Sequence, residues 1–202
     1  LHSRLDHAVA QVLLLGHLHA LDSRLNIRQI VHLPTQIRKL YFITNRGKKQ
    51  YVSRLAQKNV LLVADVIKQS ENICNALAVK KKTSVVDAII CDECQFLTEE
   101  QVEQLKYIAE YDNIPVLCFG LRSDFRTKLF PGSARLFELA DSISEVKSVC
   151  KCGKKAIVNA RFGSDGQVVT EGAQVEIGGN EKYESMCWKC WQELIENGKT
   201  RK

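Results

Sequence analysis

The run Val85-Val86-Asp87-Ala88-Ile89-Ile90-Cys91, closed at once by Asp92-Glu93, is the feature that most constrains how this chain folds. A short, nearly continuous β-branched stretch is how a strand buried on both faces reads, and such strands belong to parallel sheets covered by helices. The carboxyl end of such a strand opens onto the crevice where α/β proteins bind their ligands. Two adjacent carboxylates delivered there have a chemistry: one helps place Mg²⁺, and the other takes a proton from an attacking hydroxyl. A strand that merely ends in a solvated acidic turn gives the same local pattern, so the flanking sequence must separate the two.

The flanks alternate in the manner of a mostly parallel sheet. Val60 to Val63 reads as a strand, and Asp65 to Val79 as a helix carrying Ile67, Cys74, Leu77 and Ala78 on one face. After the acidic pair, Thr98 and Gln101 form a capping box ahead of a helix to about Tyr111, with Val102, Leu105, Ile108 and Ala109 as its apolar stripe. Pro115 to Gly120 is a second buried strand, Ser133 to Leu139 a helix and Ile143 to Val149 a further strand. From Cys150 the chain turns into a short β-rich unit: Ala156 to Phe162, a Gly163-Ser164-Asp165-Gly166 turn, then Gln167 to Thr170 and Gln174 to Ile177. A helix from about Cys187 to Asn197 stops at Gly198.

Charge bears on partners once it is located. Residues 1–50 hold eight Lys/Arg and two Asp/Glu, leaving 21 of each for the rest, so the whole net charge of +6 lies in the first quarter. Residues 51–202 are neutral, and no nucleic-acid surface is expected on them. All five histidines (His2, His7, His17, His19, His32) also fall in the first quarter, which sets its composition apart from the remaining chain. There, Ala8 to Leu25 reads as helical and Leu40 to Thr44 as a short strand. The apolar stretch Val12 to Leu21 is broken by histidines and lacks a small-residue cleavage site, so secretion is not expected. No apolar run approaches the roughly 20 residues that span a bilayer, and a cytoplasmic protein is expected.

Eight cysteines without an export signal argue for thiols or metal instead of disulfides. Cys74, Cys91, Cys94 and Cys118 lie in apolar stretches and are expected in the core. Cys150-x-Cys152 and Cys187-x-x-Cys190 form two close pairs in polar, glycine-bearing surroundings. Four thiolates so grouped suit a closed tetrahedral Zn²⁺ site, structural because no position is left for water. Two pairs of free thiols are the alternative.

Taken together, Asp92-Glu93-Cys94-Gln95-Phe96, Gly120-Leu121-Arg122-Ser123-Asp124-Phe125-Arg126, the two cysteine pairs and Ile177-Gly178-Gly179-Asn180-Glu181-Lys182-Tyr183 occur in one order and spacing that closely resembles the zinc-containing thymidine kinases of the bacterial and cytosolic type. The resemblance covers about Ser53 to Gly198. It implies a P-loop-NTPase-like α/β fold with a small zinc-binding lasso domain, and transfer of the ATP γ-phosphate to the 5′-hydroxyl of thymidine. Glu93 matches the general base and Asp92 the acidic residue near Mg²⁺, with Cys94 and Gln95 completing the ATP-binding segment. Phe125 matches the aromatic residue at the thymine ring. Gln174, Val175, Glu176, Ile177, Gly178 and Tyr183 match the lasso over the nucleoside. The resemblance also implies a homo-oligomer, a tetramer. The chain accordingly divides into three segments: 1–50 atypical, 51–149 the nucleotide-binding domain, and 150–202 the zinc-binding lasso domain.

The family's phosphate-binding loop, G-x-x-x-x-G-K-[S/T], is not in this sequence. The Gly-Lys steps are Gly47-Lys48, Gly153-Lys154 and Gly198-Lys199, and none has a glycine five positions before its own. Residues 1–50 are therefore either misassigned coding sequence joined near Tyr51-Val52-Ser53-Arg54, or part of a non-catalytic relative acting as a nucleoside-binding or oligomer-forming subunit. Either way the sheet is expected to lose its first strand and expose an apolar surface.

Overall fold

The computed structural model describes residues 10–15, 39–44, 61–174 and 182–198. Two compact units share the chain. The first is Leu1–Leu14, Leu25–Gly120 and Pro131–Ser144, and the second is Leu15–Arg24, Leu121–Phe130 and Glu145–Lys202.

A six-stranded sheet in the order β3-β2-β4-β5-β1-β6 organises the first unit. Its strands are β1 Ala10–Leu15, β2 Lys39–Thr44, β3 Leu61–Val66, β4 Ala88–Asp92, β5 Val116–Leu121 and β6 Ser142–Val146. β2 pairs in parallel with both β3 and β4, and β4 with β5. The register Val66↔Thr44 and Thr44↔Asp92 sets the carboxyl ends of three strands level with the acidic pair. Every residue of β4 is buried, as its unbroken apolar run requires.

Among the described residues, three helices accompany these strands: α1 Ile73–Lys81, α2 Glu99–Tyr111 and α3 Pro131–Leu139. The Thr98–Gln101 capping box forms as expected. Gln101, with 1% of its surface exposed, also donates from Nε2 to the carbonyls of Lys68 and Glu71, tying α2 to the loop after β3. The core gathers Ile73, Leu77, Ile89, Val102, Leu105 and Ile108 with Cys91, Cys94 and Cys118, the last three buried as core residues.

Several expectations need correction. Within the helix expected over Ala8 to Leu25, Ala10–Leu15 is a strand, because a short apolar run such as Val12-Leu13-Leu14-Leu15 fits either element by periodicity. The sheet does not go without strands from the first fifty residues: β1 lies between β5 and β6, and β2 between β3 and β4. The helix expected from Asp65 begins instead at Ile73. β3 runs on to Val66, and Asn72 caps the helix by accepting from the Asn75 N–H at 2.9 Å.

The second unit carries two small antiparallel pairs, β7 Ser148–Val149 with β8 Lys155–Ala156 and β9 Val158–Arg161 with β10 Tyr183–Met186. Helix α4, Trp188–Asn197, comes next and ends on Gly198 in the left-handed conformation. The expected strand Gln167 to Thr170 reduces to an isolated bridge, Phe162↔Val168. Of the expected strand Gln174 to Ile177, Gln174 is not in a strand and the rest lies outside the described residues. Among the described residues, one buried cluster of this unit gathers Cys150, Ala156, Val158, Ala160, Phe162, Met186, Cys187 and Trp191.

Candidate active site and metal centre

The acidic pair ends β4 on a backbone reversal. Glu93 adopts φ 55° and ψ 36°, the left-handed region that costs a non-glycine residue about 1–2 kcal/mol. Its N–H is satisfied by Asp92 Oδ1 at 2.9 Å, and a 3₁₀ turn over Cys94–Phe96 starts directly behind it. The reversal leaves Asp92 buried and Glu93 half-buried. Burial, and next the neighbouring Glu93 charge, raise the Asp92 carboxyl to about 6, offset in part by the Glu93 N–H. A carboxylate held this unfavourably is one a cation would stabilise.

Gln95, expected in the ATP-binding segment, also makes a bond that the sequence did not disclose. Its side chain, 1% exposed, turns back and donates from Nε2 to Glu93 Oε2 at 2.6 Å. Two glycines hold the turn that carries it. A Cβ on Gly120 of β5 would stand 2.4 Å from Gln95 Oε1 and 2.6 Å from Cys94 Sγ. One on Gly132 of α3 would stand 2.6 Å from the Cys94 carbonyl oxygen and 2.7 Å from that of Leu97. Gly120→Ala is therefore expected to destabilise the chain by about 1–3 kcal/mol through overpacking. Gln95→Ala in that background recovers part of the loss, as chemical denaturation will show; a Gly120→Ala chain of unchanged stability would contradict this packing.

In the second unit Asp124 organises the loop after β5. Its Oδ1 accepts the N–H groups of Arg126 and Lys128, each at 2.9 Å. Its Oδ2 accepts Arg126 Nε at 3.0 Å, Arg126 Nη2 at 2.8 Å and Gln174 Nε2 at 3.2 Å. Phe125, between them in sequence, is 1% exposed, and the Arg161 guanidinium lies 3.7 Å from its ring centroid. Tyr183 is half-buried and sits opposite Arg161 in the β9–β10 register. Gln174 is thus joined to the Phe125 loop, while Val175, Glu176, Ile177 and Gly178 lie outside the described residues.

The four cysteines converge. The Sγ atoms of Cys150, Cys152, Cys187 and Cys190 all lie within 4.8 Å of one another. Cys152 and Cys187 are 3.6 Å apart, far beyond a disulfide and close to the roughly 3.8 Å edge of a tetrahedron with 2.3 Å Zn–S bonds. Gly153, at φ 84°, closes the first turn by donating its N–H to the Cys150 carbonyl at 2.8 Å. Cys187 caps α4, its sulfur accepting the Cys190 N–H at 3.5 Å. Burial raises the Cys150 thiol, but the N–H groups of Cys152 and Cys187 and the surrounding thiols outweigh it and leave it at about 7. The Cys152 and Cys187 thiols push Cys190 the other way, to about 12. Four sulfurs this close cannot all ionise without a cation among them, and the donor set fits zinc.

The chain thus combines a parallel-sheet α/β unit with an acidic strand end and a unit whose four clustered cysteines could hold a metal ion. The family model described as thymidine kinase matches residues 11–191, so this chain belongs to the thymidine kinase family. That match starts well before Ser53, where the sequence alone placed the likeness. A thymidine kinase of Shewanella oneidensis is 42% identical over 149 residues, 74% of this chain and 76% of that one. One of Photorhabdus laumondii is 47% identical over 135 residues, covering 66% and 67% of the two chains. One of Agrobacterium fabrum is 40% identical over 160 residues, covering 79% and 83%. Among the described residues no helix is long and apolar enough to cross a membrane.

Proposed function

We infer that this chain is an ATP-dependent thymidine kinase, transferring the γ-phosphoryl group to the thymidine 5′-hydroxyl. The observation that carries the reading is Glu93, lifted from the end of β4 by its left-handed backbone and oriented by Gln95. In this reading Glu93 accepts the proton of the 5′-hydroxyl as that oxygen attacks. Gln95 keeps the carboxylate aimed, in addition to the ATP-contacting role proposed for Asp92, Glu93, Cys94 and Gln95. Asp92 is the ligand for Mg²⁺, which when bound neutralises charge on the phosphoryl oxygens. Phe125 forms a wall of the thymine site, with Gln174, Val175, Glu176, Ile177, Gly178 and Tyr183 closing on the nucleoside. The four cysteines hold a structural Zn²⁺ with no part in the transfer.

Relatives named thymidine kinase at 40–47% identity do not favour the alternative of a non-catalytic nucleoside-binding subunit. Homo-oligomerisation is proposed on the resemblance alone. The direct test measures ADP release from ATP and Mg²⁺ with and without thymidine. Thymidine-dependent ADP formation with dTMP as the product is expected, and ADP release indifferent to thymidine would overturn the reading.

A further inference from the structure

Among the described residues, Arg161 meets the Phe125 ring, the Glu171–Ala173 loop and Tyr183, and the roles above leave it out. It lies on β9 with 5% of its surface exposed. Its guanidinium packs on the Phe125 ring at 3.7 Å. From the same planar group Nη1 donates to the Ala173 carbonyl at 3.1 Å and Nη2 to the Glu171 carbonyl at 3.3 Å. Its backbone is paired with Tyr183. The intervening Gly172 has φ 121°, and a Cβ there would stand 2.9 Å from Arg161 Nη2. The chain therefore bends around the guanidinium in a way that requires glycine.

Asp124 makes the second tie. Besides ordering its own loop through Arg126 and Lys128, its side chain, 0% exposed, accepts from Gln174, the residue just beyond the Arg161-bound segment. The stretch assigned to the nucleoside is thus pinned at its entry by Ala173 and Gln174, and Tyr183 beyond it is set opposite Arg161. Lysine could not substitute: an ammonium offers no fork to span carbonyls two residues apart and no plane to lie on a ring. An apolar side chain would fill the space at lower desolvation cost but would make neither carbonyl bond.

We propose that Arg161, seconded by Asp124, is a positioning residue for the nucleoside: it locks the Phe125 ring, the Glu171–Gln174 segment and Tyr183 into one frame, so that thymidine binding depends on it while ATP binding does not. The proposal rests on the thymidine kinase reading for its ligand, and on the geometry alone for the lock.

The test uses the full chain with Arg161→Met, Arg161→Lys and Gly172→Ala. Thymidine KM is expected to rise about 10- to 100-fold in each, as misplaced binding groups cause, with ATP KM within about twofold of the parent. Amide hydrogen exchange at residues 171–174 accelerates in all three, while zinc content stays at the parent value. Arg161→Lys is no rescue, because the lock is the fork and not the charge. In a double-mutant cycle, Arg161→Lys and Asp124→Asn have non-additive effects on thymidine affinity. Unchanged exchange at 171–174 in Arg161→Met, or thymidine and ATP KM rising together, would overturn the proposal. Absence of thymidine binding by the unsubstituted chain in calorimetry would instead sink the kinase reading, and exchange at 171–174 still decides the lock.

Discussion

Glu93→Gln is expected to lower thymidine phosphorylation about 10²- to 10⁴-fold, the range a positioned general base contributes. The substitution is nearly isosteric, and the new amide oxygen still accepts the Gln95 amide that now meets Glu93 at 2.6 Å, so the turn and the thymidine affinity should persist. Single-turnover transfer and calorimetric titration separate the two quantities. A rate within tenfold of the parent would remove Glu93 from the base role. The pH dependence carries a second, independent mark. Asp92, raised to about 6 by burial and by the Glu93 charge, must be ionised to hold Mg²⁺. Activity is therefore lost as pH falls through about 6, and since a bound cation favours the carboxylate, raising Mg²⁺ moves that acidic limb to lower pH. Asp92→Asn abolishes the Mg²⁺ dependence of the limb; a limb indifferent to Mg²⁺ concentration would detach Asp92 from the metal.

The legibility of these features in the sequence depends on their range. β4 is legible because burial on both faces writes an unbroken apolar run, and α2 because a capping box is local: Thr98 and Gln101 are three residues apart. The four thiols are legible as two pairs, although the convergence of Cys152 with Cys187, 35 positions on in the chain, needed the fold. β1 reads wrongly because a six-residue apolar strand and a helix start look alike, and only the neighbours β5 and β6 decide between them. Gly120, Asp124 and Arg161 are not legible as working residues, and Gln95, expected in the ATP-binding segment, gives no sign in the sequence of its bond to Glu93. Gly120 matters because β5 passes within a Cβ of Gln95, and Arg161 because a loop ten residues on folds back over its guanidinium. Such relations belong to tertiary packing and leave no periodic or motif signature. The left-handed Glu93 is the intermediate case: its place after β4 singles the residue out, but its strained backbone is not foreseeable, since non-glycine residues seldom adopt it.

Removing zinc is expected to unfold the second unit while the sheet unit persists. Among the described residues this unit shows short antiparallel pairs and one helix, and the cluster packed between them includes the site cysteines Cys150 and Cys187 themselves, so its packing is tied to the site. A four-thiolate site supplies on the order of 10 kcal/mol in small zinc domains at neutral pH, enough to decide whether such a unit folds. The chain holds its own reporter, because its two tryptophans, Trp188 and Trp191, both lie on α4, beside Cys187 and Cys190, with ring centroids 5.0 Å apart. Chelation at pH 7 should shift their emission to the red as the buried Trp191 meets water, and should make all four thiols reactive. Re-addition of one equivalent of zinc restores both. Lowering the pH gives the same result without a chelator, because each sulfur must be ionised to bind and protons compete for it. Cys152→Ser, at the most exposed ligand, weakens zinc retention without disturbing the core and places the emission shift at a lower chelator concentration. If stoichiometric zinc can be withdrawn with no change in tryptophan emission or thiol reactivity, the four cysteines are not what holds this unit together.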